Sequence, residues 1–466
     1  MQLNRRDLLL SSCAVTILSS FPGRPSFGSP KAQVISAQVA KIQIAPPTFP
    51  KTEVWGYGGT VPGPEIRLMQ GQKLQARLEN DLPTPTTIHW HGIRNDNAMD
   101  GVAGLTQPAV ASGNSFFYEF TPPDAGTYWY HAHTRSFEQV ARGLYGALIV
   151  EESKPPDVDR EELLILDDML LDSDSAQFDP NFSSPHALSH AGRLGNVIIA
   201  NGRYDLALKC MKNERLRLRV INAANARTFV LGLAGMEGWV VALDGMPLKI
   251  PYRADSSIIL GAAQRVDLIV DVVADEGETA HLAHRDRGGS YSLVAFNVDG
   301  KATHSRRNEP APLPPNDATP ISGLKSAQQI HLSMVGGAMS SSLVEAKFNG
   351  EEMTFSELIQ ANQFWALGDT AGMPDEPLIS AQKGEPIRLT LENKTAFAHA
   401  MHLHGMHFQE IEEEGNLGPM RDTLMVMPRE AREIAFMADN PGKWLFHCHM
   451  LSHAASGMMT WIEVTA

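Results

Sequence analysis

Cysteine is almost missing from this chain: three occur in 466 residues, at positions 13, 210 and 448. Cys13 falls in an N-terminal segment that reads as removable, so at most one disulfide could brace the remainder. Basic charge is short as well, with 39 Lys and Arg against 53 Asp and Glu, a formal net charge of −14. That balance argues against nucleic acid or an anionic membrane surface as partner, because both need a positive face. No later apolar run reaches spanning length, so no permanent membrane span is expected and the mature protein reads as soluble. Turn formers are plentiful instead, with 38 Gly and 30 Pro, which suits a β protein better than a helical one. Hydrophobic residues at 43% supply ample core, and the length fits two to four domains.

The first residues read as an address. Arg5-Arg6 precedes Leu8, Leu9, Leu10 and the apolar stretch from Cys13 to Leu18, which Phe21, Pro22 and Gly23 then break. Twin arginines before a short apolar segment indicate a Tat-type export signal, residues 1–33, and a periplasmic destination.

Much of the rest alternates. The runs Lys73–Leu78, Arg215–Val220 and Arg388–Leu391 place apolar side chains at every second position, as half-buried antiparallel strands do. Each run leads into an asparagine, Asn80, Asn222 or Asn393. Recurrence at roughly 140 to 170 residues suggests three related β-sandwich domains. The Pro-bearing polar stretches Glu151–Asp159 and Asn308–Pro320 fit as linkers, giving domains at 34–152, 158–302 and 318–466.

The 17 histidines are unevenly placed. Four His-x-His pairs occur, His89/His91, His131/His133, His402/His404 and His447/His449, where composition alone gives about 0.6. On an extended chain residues i and i+2 share a face, so each pair can present two imidazoles to one volume. Eight converging imidazoles imply several metal ions, and a site using all four pairs must join the first domain to the last. Cys448 sits between His447 and His449 and points to the opposite face. With His453, Met458 and His399, which faces away from His402 and His404, it offers thiolate, thioether and two imidazoles, a blue-copper set. Parity thus sorts the ligands into two groups on opposite sides of one backbone. Cys448 would bond one copper while its neighbours bind others, a short electron path.

The segments His89-Trp90-His91-Gly92, Tyr130-His131-Ala132-His133, His399 through His404-Gly405, and His447-Cys448-His449 through Met458 resemble the four copper motifs of multicopper oxidases. Val61–Pro64, Asp124–Trp129, Gly143–Gly146, Asp244-Gly245 and Arg421-Asp422-Thr423 are similar to further recurring segments of that family. The resemblance covers essentially the whole mature chain and implies three consecutive cupredoxin-like Greek-key sandwiches, an all-β fold. It implies four coppers. Type 1 would sit at His399, Cys448, His453 and Met458, and type 2 at His89 and His402. The type 3 pair would sit at His91, His131, His449 and at His133, His404, His447. It also implies catalysis: one-electron oxidation of phenols or aromatic amines, laccase-like, coupled to four-electron reduction of dioxygen to water. A cuprous oxidase active in copper tolerance, or a copper-binding resistance protein without activity, is the alternative. Asp100 holds the position of an acid that assists dioxygen reduction. Ala454 stands where bacterial relatives often carry a proton-relaying Glu.

The remaining histidines 186, 190, 281, 284, 304 and 331 read as surface residues, and His407 as a structural neighbour of the third motif. Met425, Met427 and Met437 read as core; Met334 and Met339 flank a Gly-Gly and are candidate surface ligands. The acidic run Glu410, Glu412, Glu413 and Glu414 reads as a solvated loop.

Overall fold

The computed structural model describes residues 32–286, 288–302, 305–340 and 342–466. Arg5-Arg6 and the apolar stretch behind them lie outside these residues, as do Cys13 and His304. The architecture is three β-sandwiches in chain order, each of two packed sheets. The first joins the strands Gln33–Ile42, Thr52–Tyr57, Leu74–Asn80 and Ser115–Phe120 to a second sheet carrying Ile88–His91 and Gly126–Ala132. The second and third each pack a six-stranded sheet on a five-stranded one.

The same pairing recurs in all three. Leu74–Asn80, Arg215–Asn222 and Pro386–Asn393 each have one parallel neighbour, the first strand of their sandwich, and one antiparallel neighbour. A parallel pair needs a crossover, so none of these sheets is a simple meander. The asparagine closing each strand is buried and does the same work three times. Asn80 Oδ1 accepts from Leu82 N–H while its amide donates to Thr84 and Val110 carbonyls. Asn222 repeats this with Ala224 N–H and the Arg227 and Leu260 carbonyls. Asn393 repeats it with Thr395 N–H and the Phe397 and Val426 carbonyls. A side chain that is acceptor and donor at once can finish a strand whose last backbone groups would otherwise be orphaned.

One strand departs from the half-buried reading. Arg215–Asn222 is buried on both faces. Its arginines do not reach water: Arg217 and Arg219 are at most 1% exposed and meet Glu152, Glu161 and Asp267. Arg219 also donates to Thr127 Oγ1 of the first sandwich, so the polar face is an ionic seam between two sandwiches. A shared apolar cluster welds the units further, with Val54, Trp129 and Tyr145 of the first, Ile165, Ile199 and Ile221 of the second, and Leu451 of the third.

Candidate metal centre

Strand register sets the histidines in place. Ile88–His91 runs antiparallel to Gly126–Ala132 with His89 opposite His131. In the third sandwich His402 lies opposite His447, and Met401 opposite Cys448. His402 and His447 therefore share one face, and Cys448 falls on the other with His399. The structure brings the paired histidines of the first and third sandwiches into one buried cluster. His89 stacks on His404 at 3.8 Å and His91 on His402 at 3.7 Å between ring centroids. His404 Nε2 faces His447 Nε2 at 3.1 Å, and His131 Nε2 faces His449 Nε2 at 3.3 Å. Ligand atoms converge in the groups His89/His91/His402, His91/His131/His449 and His133/His404/His447.

On the opposite face, His399 Nδ1 and His453 Nδ1 stand 3.1 Å apart, with Cys448 Sγ at 3.7 and 3.8 Å. Met458 is fully buried in the same core, and its carbonyl accepts from Cys448 N–H. Trp365 packs on both rings, at 5.1 and 4.4 Å.

The outward ring nitrogens decide what the inward ones are. A carbonyl can only accept, so each ring nitrogen bonded to one carries the proton. His89 Nδ1 donates to Asp100 O, His402 Nδ1 to Asp422 O, His131 Nδ1 to Ala132 O and His447 Nδ1 to Cys448 O. His404 Nδ1 donates to Asp100 Oδ2 at 3.0 Å. At the other site His453 Nε2 donates to His190 O at 2.6 Å. His399 Nε2 meets Thr395 Oγ1 at 2.8 Å; that hydroxyl has its own acceptors in Asn393 Oδ1 and Phe397 O. His404 and His447, like His399 and His453, thus aim bare lone pairs at each other across about 3 Å. Nε2 of His89, His133 and His402 and Nδ1 of His91 and His449 have no hydrogen-bond partner among the described residues.

Protonation does not relieve this crowding. Burial, reinforced by neighbouring imidazoles, holds His91, His131, His399, His404, His447 and His449 well below the ordinary value of 6.5. His133 is pushed down to about 3 and His453 to about 4, again first by burial. The same burial pushes the Cys448 thiol up to about 12. Neutral imidazoles with converging lone pairs and an enclosed thiol form a donor set that only a soft or borderline cation satisfies. Nitrogen with thiolate and thioether selects copper at the second site.

Asp100 is 1% exposed and bridges the cluster, its carboxylate meeting His404 Nδ1 at 3.0 Å and His89 Nδ1 at 3.2 Å. In the sequence Asp422 stands only within the recurring segment Arg421-Asp422-Thr423, with no role implied. Its Oδ1 lies 3.3 Å from His91 Nε2, and its carboxylate forms a fully buried pair with Arg265. The signal was there, since Arg265 is a lone cation in an apolar run, but nothing in one sequence says which acid it meets. His407 is buried, 3.8 Å from Asp422.

Other histidines divide. His186 and His331 are exposed and His281 half-exposed, whereas His284 is buried and accepts from Val230 N–H. His190 is half-buried with its carbonyl on His453, a placement the surface reading missed. Met427 is 47% exposed rather than core, and Met334 is fully buried, which removes it as a surface ligand, while Met339 is 77% exposed. Glu410 pairs with Arg432, and Glu412, Glu413 and Glu414 are solvated.

Three sequence families, each described as multicopper oxidase, match residues 38–155, 165–288 and 349–466. The multicopper oxidase MmcO of Mycobacterium tuberculosis is 29% identical across 94% of this chain and 88% of its own. Among solved structures, Lac15 from a marine microbial metagenome is 38% identical, with a TM-score of 0.76 over 93% of this chain and 100% of that one. A multi-copper oxidase from Pseudomonas thermotolerans is 31% identical, with a TM-score of 0.81 over 93% and 99%.

Proposed function

Because the chain belongs to the multicopper oxidase family, we propose that its two histidine sites carry the division of labour read from the sequence. The enzyme is a copper-dependent oxidoreductase that takes electrons from a reducing substrate and delivers them to dioxygen. His399, Cys448, His453 and Met458 hold the type 1 copper. His89 and His402 hold type 2, and the two remaining triads hold type 3. The observation carrying this is the set of opposed lone pairs whose outward nitrogens are already committed. Held by these residues, copper would supply one-electron redox chemistry at the first site and four-electron capacity for dioxygen at the second.

The chain's own groups prepare that chemistry. Thr395 and the His190 carbonyl fix the rings of His399 and His453, so little moves when charge changes. Trp365 and Met458 exclude water beside them. Cys448, flanked by His447 and His449, links the sites covalently. Asp100 accepts from His404 Nδ1, and we assign it the holding of protons for water formation. Ala454 offers no acid, and the nearby Ser452 hydroxyl is buried without a partner among the described residues.

Phenols and aromatic amines are the leading donors. One observation favours a second reading, cuprous ion. Both type 1 rings are wholly buried, and their outer nitrogens are capped by Thr395 and His190, so an aromatic substrate has no direct contact with them. We also read the protein as exported by a Tat route to the periplasm, on the strength of Arg5-Arg6. Among the described residues no helix is long and apolar enough to cross a membrane.

The test is oxygen uptake by the copper-reconstituted mature chain with a dimethoxyphenol and with Cu(I), after recording the visible spectrum. An intense blue band and phenol-driven uptake are expected. A colourless protein without uptake on either donor overturns the assignment.

A further inference from the structure

The short helix Pro185–Ser189 belongs to the second sandwich, yet it lies over the type 1 site of the third. Ser184 caps it, accepting from Ala187 N–H, and Pro185 begins it. The carbonyls of Leu188, Ser189 and His190, at the end where a helix lacks intrahelical donors, are taken by the third sandwich. Leu188 O accepts from Trp365 Nε1 at 2.5 Å and from Ser456 Oγ at 3.0 Å. Ser189 O accepts from Ala338 N–H at 2.7 Å, and His190 O from His453 Nε2 at 2.6 Å. The helix is therefore a pinned strap over the electron entrance rather than a loose surface turn.

The strap carries two histidines four residues apart. At that spacing side chains share one helix face, the arrangement by which two imidazoles grip one metal ion. The rings of His186 and His190 lie 4.1 Å apart at a tilt of 31°. His186 is exposed and has no hydrogen bond to its ring among the described residues. His190 engages Ser189 Oγ through Nδ1, and its Nε2 has no hydrogen bond among the described residues. The exposed Met339 follows Ala338, so a thioether also stands at this end of the strap.

We infer that His186 and His190 form a solvent-facing docking site for cuprous ion, which gives up its electron through His190 to His453. Imidazole and thioether suit Cu(I), and zinc or nickel held there would have no electron to give. A net charge of −14 favours the approach of a cation. The path from the docked ion is one imidazole, its own backbone and one hydrogen bond to a type 1 ligand. Each Cu(I) leaves as Cu(II) after passing one electron to the oxidised type 1 copper. Four such events, with four protons, reduce one dioxygen to two waters. The inference rests on the type 1 assignment above.

The test uses the four-copper enzyme and silver(I), a redox-inert monocation with the same d10 configuration, measured by calorimetry and by metal content after desalting. One silver per chain is expected beyond the four coppers. His186→Ala should lose it, while His186→Met should keep it, since a thioether replaces the imidazole and a merely structural role would not be rescued. In parallel, kcat/KM for Cu(I) should fall about ten-fold or more in His186→Ala, with the blue band and dimethoxyphenol oxidation unchanged. Silver binding equal in wild type and His186→Ala, or a Cu(I) rate within two-fold, overturns the docking site. A missing blue band in the wild type fails the type 1 assignment instead, so the two failures are distinguishable.

Discussion

The three strand-ending asparagines allow one substitution to be made three times in equivalent places. Replacing Asn393 by Asp keeps the shape and the Oδ1 that Thr395 N–H needs, at 2.9 Å. It reverses only the donor side. An oxygen then faces Phe397 O at 2.7 Å and Val426 O at 3.1 Å, at a position 1% exposed. The Phe397, Val426 and Met427 carbonyls lose this donor and face an acceptor instead, though Phe397 O keeps Thr395 Oγ1 and Met427 O keeps Glu430 N–H, so a loss of about 1–3 kcal/mol is expected at pH 7. The new carboxyl escapes part of that by staying protonated, which raises its folded pKa above about 3.9. A raised folded pKa gives stability that is present below the unfolded value and lost as pH rises. The deficit relative to wild type should therefore shrink below about pH 4 and be full at neutrality. Asn222→Asp disturbs an equivalent pair, the Arg227 and Leu260 carbonyls at 2.8 and 2.9 Å, and should cost a similar amount. Of the two, only Asn393 touches the proposed type 1 site, since Thr395 Oγ1 bonds both Asn393 Oδ1 and His399 Nε2, each at 2.8 Å. Denaturant unfolding of the copper-free proteins and visible spectra of the loaded ones separate the effects. Losses under about 1 kcal/mol in both variants would refute the energetic argument. An equal shift of the blue band in both would refute the wiring through Thr395.

Three further outcomes follow from buried charge and close packing. Asp422→Asn strands Arg265, whose closest other carboxylate is Asp244 at 3.7 Å, and should cost about 3–5 kcal/mol in copper-free unfolding. Adding Arg265→Met should recover part of it, and strictly additive losses would sink the pairing argument. Glu161 is held at about 2: burial alone would raise it, but Arg219 and Arg217 pull it below its ordinary 4.5. Its contribution, about 3 kcal/mol, is present above pH 4.5 and lost as pH falls towards 2, so Glu161→Gln should unfold with a flatter acid limb between those values. Gly92 follows His91 at φ +85°, and a Cβ there would strike Arg265 Nη2 and Asp422 Oδ2. Gly92→Ala should lower type 2 copper content by spin resonance while leaving the blue band; full occupancy of both would contradict it.

Legibility in the sequence followed what spacing can encode. His-x-His pairs and the position of Cys448 are period-two statements, and the strands His399–Leu403 and Gly442–Cys448 keep that period through the site. The threefold recurrence was also visible, because each asparagine is needed at the same point of the same strand. Burial was not legible. Arg215, Arg217 and Arg219 alternate with leucines just as a solvent-facing row would, and their acids at 152, 161, 267 and 271 come from other strands and a linker. His190 was missed for a related reason: its contribution is a carbonyl, which every residue has.

The middle sandwich supplies none of the ligands proposed for the type 1, type 2 and type 3 coppers, yet it holds several of them in place. Arg265 anchors Asp422, the acid that holds His91 and whose carbonyl takes the proton of His402. Gln264 donates to the Thr423 carbonyl beside it. Asn225 O accepts from Leu451 N–H at the start of the helix that carries His453, and His190 caps His453 itself. Opposed lone pairs within 3.1 Å would drive their rings apart unless each outer nitrogen were held. At the proposed type 2 and type 1 sites alike, part of that holding comes from the middle sandwich. Its charged and capped positions act as the frame against which the other two press their imidazoles together, so a substitution there should be read out first in copper occupancy.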